Sequence, residues 1–276
     1  MCPCCVAVTE SIRLRLDLAY DGTEFSGWAI QPQRRTVQGV VEDAIATVLR
    51  IPAVTLTVAG RTDAGVHATG QVAHVDVAAD VWRREQELLL RRLAGVLPAD
   101  VRVRGVREVP AAFDARFGAL WRRYDYRVCD RPEAISPLHR AFVLGWPRVL
   151  DVSTMQSAAD ALAGLHDFAA FCRRREGATT TRTLQRLTIE RLEDEIVFTV
   201  QADAFCHSMV RSLVGALIAV GEGRREVGWP GALLGRDSRA DDVPVAPAHG
   251  LTLVRVEYPA DEELAERAEQ TRARRD

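Results

Sequence analysis

Apolar and polar side chains alternate along residues 12–20: Ile12, Leu14, Leu16, Leu18 and Tyr20 fall on one face, Arg13, Arg15 and Asp17 on the other. A period of two predicts a strand buried on one side. Downstream the period lengthens. Val37, Val40, Val41, Ala44, Ile45, Val48 and Leu49 recur at helical spacing, with Thr36 positioned as an N-cap and Pro52 beyond the end. Residues 55–59 and 71–77 predict two further strands, 81–93 a second helix and 101–109 a closing strand. The order β-α-β-β-α-β is that of a ferredoxin-like unit, an antiparallel sheet with two helices on one face. Residues 123–129, 182–191, 195–204 and 251–257 predict strands, and 152–164 and 208–221 helices, in a second, irregular copy. The expected architecture is therefore α+β, with ferredoxin-like, RRM-like halves at 12–112 and 113–260. Residues 1–11 and 261–276 are expected to be frayed tails, and the turn-rich run DRPEAISPLHR to mark the hinge between halves.

Composition narrows the class. A chain of 276 residues, 47% apolar and 27% charged, suits a soluble globular protein with more than one core. The most apolar stretch, Met209 to Val220, is too short to span a bilayer and is broken by Arg211. The start, MCPCCVAVTE, lacks the basic and long apolar regions of a signal peptide, so a cytoplasmic location is expected. A net charge of −2 argues against a uniformly basic coat. The chain contains no lysine, and its arginines are bunched, as at Arg122–Arg123 and Arg173–Arg175, which leaves room for a cationic cleft on an acidic surface. The six cysteines are scattered, and Cys2, Cys4 and Cys5 lack a fourth ligand, so free thiols and no metal are expected.

The candidate chemistry lies in residues 59–75, AGRTDAGVHATGQVAHV. In extended backbone, residues i and i+2 point the same way, so Arg61 and Asp63 can share a face, and a guanidinium there keeps the carboxylate ionised. Gly60 and Gly65 permit a sharp turn and close approach by a ligand, and Thr62 can hydrogen-bond locally. A lone aspartate in such a loop is usually an Asx turn with a surface ion pair. The length of the unbroken string sets this one apart: it resembles the catalytic motif of the bacterial tRNA pseudouridine synthase A family.

Other segments carry the same resemblance in order: LAYDGTEFSGWAIQPQRRTVQG, FDARFGALWRRYDYRV, HDFAAFCRRR, FCHSMVRSLVGALIAVGEG and PAHGLTLVRVEYP. The resemblance implies Asp63 as the catalytic acid, Arg61 as its ion-pair partner, Tyr124 as the active-site tyrosine and Leu253 as an apolar pocket residue. Arg122, Arg123 and Arg173 lie inside matching motifs and are expected to contact RNA. Arg211, a charge on an otherwise apolar helix, is expected to face the cleft toward Asp63 or phosphate. The family implies two ferredoxin-like halves joined through their sheets around a central cleft, and no cofactor. It also implies a homodimer acting on uridines 38, 39 and 40 in the anticodon arm of tRNA, with the target base flipped. Two other classes fit less well. A non-catalytic RNA-binding protein would need exposed stacking aromatics, and only 6% of residues are aromatic. A metal-dependent hydrolase using Asp63, His67 and His74 lacks a third clustered ligand.

Overall fold

The structure, a computed structural model, describes residues 10–173 and 179–273. The first half runs β1 (Ser11–Tyr20), α1 (Val37–Leu49), β2 (Thr57–Val58), β3 (His67–Ala78), α2 (Ala79–Glu85), α3 (Leu89–Val96) and β4 (Val101–Val109). The second runs β5 (Trp121–Cys129), β6 (Leu144–Gly145), α4 (Val152–Asp160), β7 (Gly164–Asp167), β8 (Thr181–Leu192), β9 (Glu195–Ala202), α5 (Met209–Gly221), the short α6 (Trp229–Ala232) and β10 (Leu251–Glu257). A last helix, α7 (Leu264–Ala273), follows.

Local chemistry accounts for the main elements. Leu14, Leu16 and Leu18 of β1 are almost fully buried, as their alternation predicts. Thr36 caps α1 by accepting a hydrogen bond from the Gly39 N–H at 3.4 Å, a device worth about 1 kcal/mol. Arg50 ends that helix in the left-handed conformation, at φ 56°.

The strands form one sheet in the order β4-β1-β3-β10-β5-β9-β8-β7, with β2 paired to β3 and β6 to β5. The halves meet where β10, late in the chain, lies parallel to β3 and antiparallel to β5. Cross-strand partners share a face. Tyr20, Ala68, Leu253, Tyr124, Val200 and Leu187 are successive partners from β1 through β3, β10, β5 and β9 to β8. That row fixes which side chains look into the space between the two helix groups, α1–α3 and α4–α5.

Four expectations need correction. The helix expected at 81–93 is two helices, α2 and α3, with residues 86–88 between them. DRPEAISPLHR does not separate the halves: it follows β5, and Arg131 and His139 there pair with Asp194 and Glu195 of the β8–β9 hairpin. The C-terminal tail is not frayed over 264–273. Leu264 and Ala268 are buried, Arg267 donates to the Ala119 carbonyl at 3.1 Å and Arg272 pairs with Asp114 at 3.0 Å. Finally, Cys172 and Cys206 are joined as a disulfide, with Cα atoms 5.8 Å apart, whereas Cys129 is a buried free thiol. Cys2, Cys4 and Cys5 lie outside the described residues.

Candidate active site

The loop from Ala59 to Val66 is held on every side by the segment that follows β1. The Trp28 N–H donates to the Thr62 carbonyl at 3.0 Å, and the Gly65 N–H to the Phe25 carbonyl at 3.4 Å. Thr62 Oγ1 and the Tyr20 hydroxyl lie 2.8 Å apart, and Gln71 Nε2 donates both to that hydroxyl and to the Gly60 carbonyl. Burial pushes the Tyr20 phenol up to about 12, so it stays a neutral hydrogen-bonding strut. Gly65 adopts φ +76°, a conformation that favours glycine. Gly22 has no alternative either, because a Cβ there would lie 2.1 Å from the Val66 carbonyl oxygen.

Held this way, the loop presents Asp63 to a cleft of about 590 Å³ between the two helix groups. Its carboxylate is one-third exposed. Both partners come from the second half of the chain: His207 Nε2 stands 3.3 Å from Oδ1, and Arg211 Nη1 4.0 Å from Oδ2. Arg211 is oriented by donating from Nε to the Ala246 carbonyl at 2.6 Å. The expected pairing of Arg61 with Asp63 is absent. Arg61 is exposed and lines the same cleft, but no hydrogen bond or ion pair joins it to Asp63.

Tyr124 lies in the cleft wall, 7% exposed, with Phe205 edge-on to its ring at 5.2 Å. Burial is the largest of several effects that raise its phenol well above the ordinary range, so it is a poor base. Leu253 is wholly buried beside Tyr124 in the sheet, and Leu251 on the same strand lines the cleft instead.

The arginines divide into two kinds. Arg61, Arg116, Arg173, Arg182 and Arg211 line the cleft, and Asp63 is its sole carboxylate among the described residues. Arg122 also borders it but is 5% exposed, with its guanidinium committed to the carbonyls of Ala59, Arg116 and Asp203. That corrects its expected role: it ties the Asp63 loop to β5, with four of its N–H groups spent on those carbonyls. Arg123 alternates with Tyr124 and so lies on the other sheet face, away from the cleft. Arg174 and Arg175 fall outside the described residues.

The two histidines of the hydrolase reading have structural partners. His67 Nδ1 accepts from the Gly22 N–H at 3.0 Å, and its Nε2 meets the His249 carbonyl at 3.1 Å. His74 Nδ1 accepts from the Ala115 N–H at 3.0 Å, and burial lowers its basicity.

A family model described as tRNA pseudouridine synthase matches residues 18–118 and 158–259. The chain belongs to the tRNA pseudouridine synthase family. Relatives named tRNA pseudouridine synthase A are similar along nearly the whole length. The one from Frankia casuarinae is 63% identical over 263 residues, covering 95% of both chains. That from Streptomyces avermitilis is 58% identical, covering 96% of this chain and 94% of its own. The Mycobacterium leprae relative is 52% identical, covering 96% of each. Members of the family are isomerases that convert uridine to pseudouridine in tRNA. His207, Arg116 and Arg182 were not singled out as site residues from the sequence. His207 and Arg116 fall in motif-bearing segments, whereas Arg182 lies outside every one of them; what brings all three to the cleft is the joining of the halves.

Proposed function

We propose that this synthase isomerises uridines 38, 39 and 40 in the anticodon arm of tRNA, with Asp63 attacking a nucleotide flipped out of its stack. The observation that carries the reading is a cleft in which Asp63 is the one carboxylate among the described residues, in the company of several arginines and a buried tyrosine. An Asp63 oxygen bonds to C1′ or C6 of the target uridine, and the N1–C1′ bond breaks. The freed uracil turns within the pocket and rejoins the ribose through C5. C5 then loses its proton, N1 ends with one, and Asp63 leaves unchanged, so no cofactor is consumed.

Each neighbour has a task in that sequence. Arg211, fixed by Ala246, sets a positive charge 4.0 Å from Asp63 Oδ2. Tyr124 and Phe205 pack against the base, and with Leu251 they shield the cleaved intermediate from water. The raised phenol makes Tyr124 a packing residue first. Flipping costs a few kcal/mol and is cheapest next to a loop, as in the anticodon arm. Arg61, Arg116, Arg173 and Arg182 suit contacts to phosphate, which favours recognition by backbone shape over base sequence. The working enzyme is a cytoplasmic homodimer with one tRNA lying across both subunits.

The test is incubation of the protein with unmodified tRNA transcript in the presence of chelator, followed by mapping of pseudouridine. The reading predicts product at 38, 39 and 40 and nowhere else. Product elsewhere in the tRNA would overturn the site assignment, and product that disappears with chelator would overturn the mechanism.

A further inference from the structure

His207 has no part in the steps above, yet it stands 3.3 Å from the Asp63 carboxylate, closer than Arg211. We propose that His207 is a positioning residue for Asp63, donating from Nε2 to Oδ1 and so fixing which carboxylate oxygen is turned toward the ribose. The inference deepens the reading of Asp63 as the attacking group and rests on it.

Three observations carry it. First, the ring is delivered by an anchored backbone. The Arg173 N–H donates to the His207 carbonyl at 3.0 Å, and the Met209 N–H to the Cys206 carbonyl at 3.1 Å. Ser208, between His207 and α5, adopts a left-handed conformation, φ 65°, which a serine seldom takes without being held there. Second, the two carboxylate oxygens are divided between two groups: Arg211 faces Oδ2, and His207 faces Oδ1. An arginine at 4.0 Å supplies charge but little direction, whereas a ring nitrogen at 3.3 Å reaches hydrogen-bonding range with a slight rotation. Third, His207 Nδ1 is buried and has no hydrogen-bond partner among the described residues. A proton on Nδ1 would be stranded there. The tautomer with its proton on Nε2 avoids that and points its one donor at Asp63.

The contact uses Nε2, and that gives a discriminating pair of substitutions. The amide nitrogen of glutamine overlays Nε2 of a histidine, while that of asparagine overlays Nδ1. The experiment measures single-turnover rate and tRNA affinity for wild type, His207→Gln, His207→Asn and Asp63→Asn, with folding of each checked by thermal unfolding. His207→Gln is expected to keep the rate within about threefold, and His207→Asn to lose about 10- to 100-fold, with affinity unchanged in both. Equal rates for the two variants, or a loss carried by affinity alone, would overturn the positioning role. Loss of rate in both variants would overturn it too, and would point to a proton carried by the imidazole. If Asp63→Asn proved active, the reading of Asp63 itself would fail, an outcome distinct from any of these.

Discussion

At the scale of single residues, burial separates an arginine that builds the site from those left exposed at its mouth. Arg122 is enclosed and satisfies three backbone carbonyls, one of them at the root of the catalytic loop. Replacing it with methionine strands those carbonyls, at a cost of about 1–3 kcal/mol for each buried group left unpaired. Arg122→Met should therefore unfold at lower urea concentration and lose turnover. Arg173 is exposed at the cleft mouth. Arg173→Ala should leave urea stability unchanged, weaken tRNA binding and reduce the salt dependence of that binding by about one phosphate contact. A destabilised Arg173→Ala, or an Arg122→Met defect confined to affinity, would reverse the assignment. That Asp63 belongs to a site was readable only from its long, unbroken motif, and the structure places it in the cleft. Spacing alone placed Arg61 beside Asp63 in the cleft, but an exposed guanidinium on a long side chain is free to point elsewhere, and it does not pair with the carboxylate. His207 stayed hidden because its significance depends on a contact between halves that no local pattern encodes.

At the scale of elements, patterns with a buried face were readable and terminal details were not. The alternation in β1 and the helical spacing in α1 match the structure closely because each element has one side sealed in the core. The strand expected at 55–59 shrinks to two residues, since only Thr57 and Val58 find partners on β3. The C-terminal helix was missed because it buries just Leu264 and Ala268, too few positions to impose a period. Another linkage between elements makes a pH-dependent prediction. Asp130, at the end of β5, pairs with Arg191 of β8 at 2.7 Å and accepts from the Leu150 N–H at 2.9 Å, just ahead of α4. The hydrogen bond from Arg191, opposed by burial, holds the Asp130 carboxyl below its usual range. A depressed carboxylate stabilises the fold above its unfolded-state value, near 4, and that contribution is lost as pH falls through the lower folded-state value. Asp130→Asn should thus cost about 2 kcal/mol in urea unfolding at pH 7, a gap that narrows below about pH 4. A gap that is constant with pH would show that Asp130 acts without its charge.

At the scale of the whole molecule, the seam of the sheet makes the site. β10 inserts between β3 and β5, which carries Tyr124 and the loop before α5 up to a catalytic loop from the other half. Neither half alone holds both Asp63 and its two partners. Net charge is equally uninformative about the cleft, because −2 overall coexists with three exposed arginines, Arg61, Arg116 and Arg173, around the one carboxylate among its described residues. The most direct measurement is the single-turnover rate of Asp63→Asn on saturating unmodified tRNA, with its affinity for that tRNA measured in parallel. The side chain keeps its size and loses its charge and nucleophilicity. Wild-type affinity with no detectable pseudouridine is the predicted result. Pseudouridine formed at a rate near that of the wild type would contradict the assignment of Asp63 as the group that attacks the nucleotide.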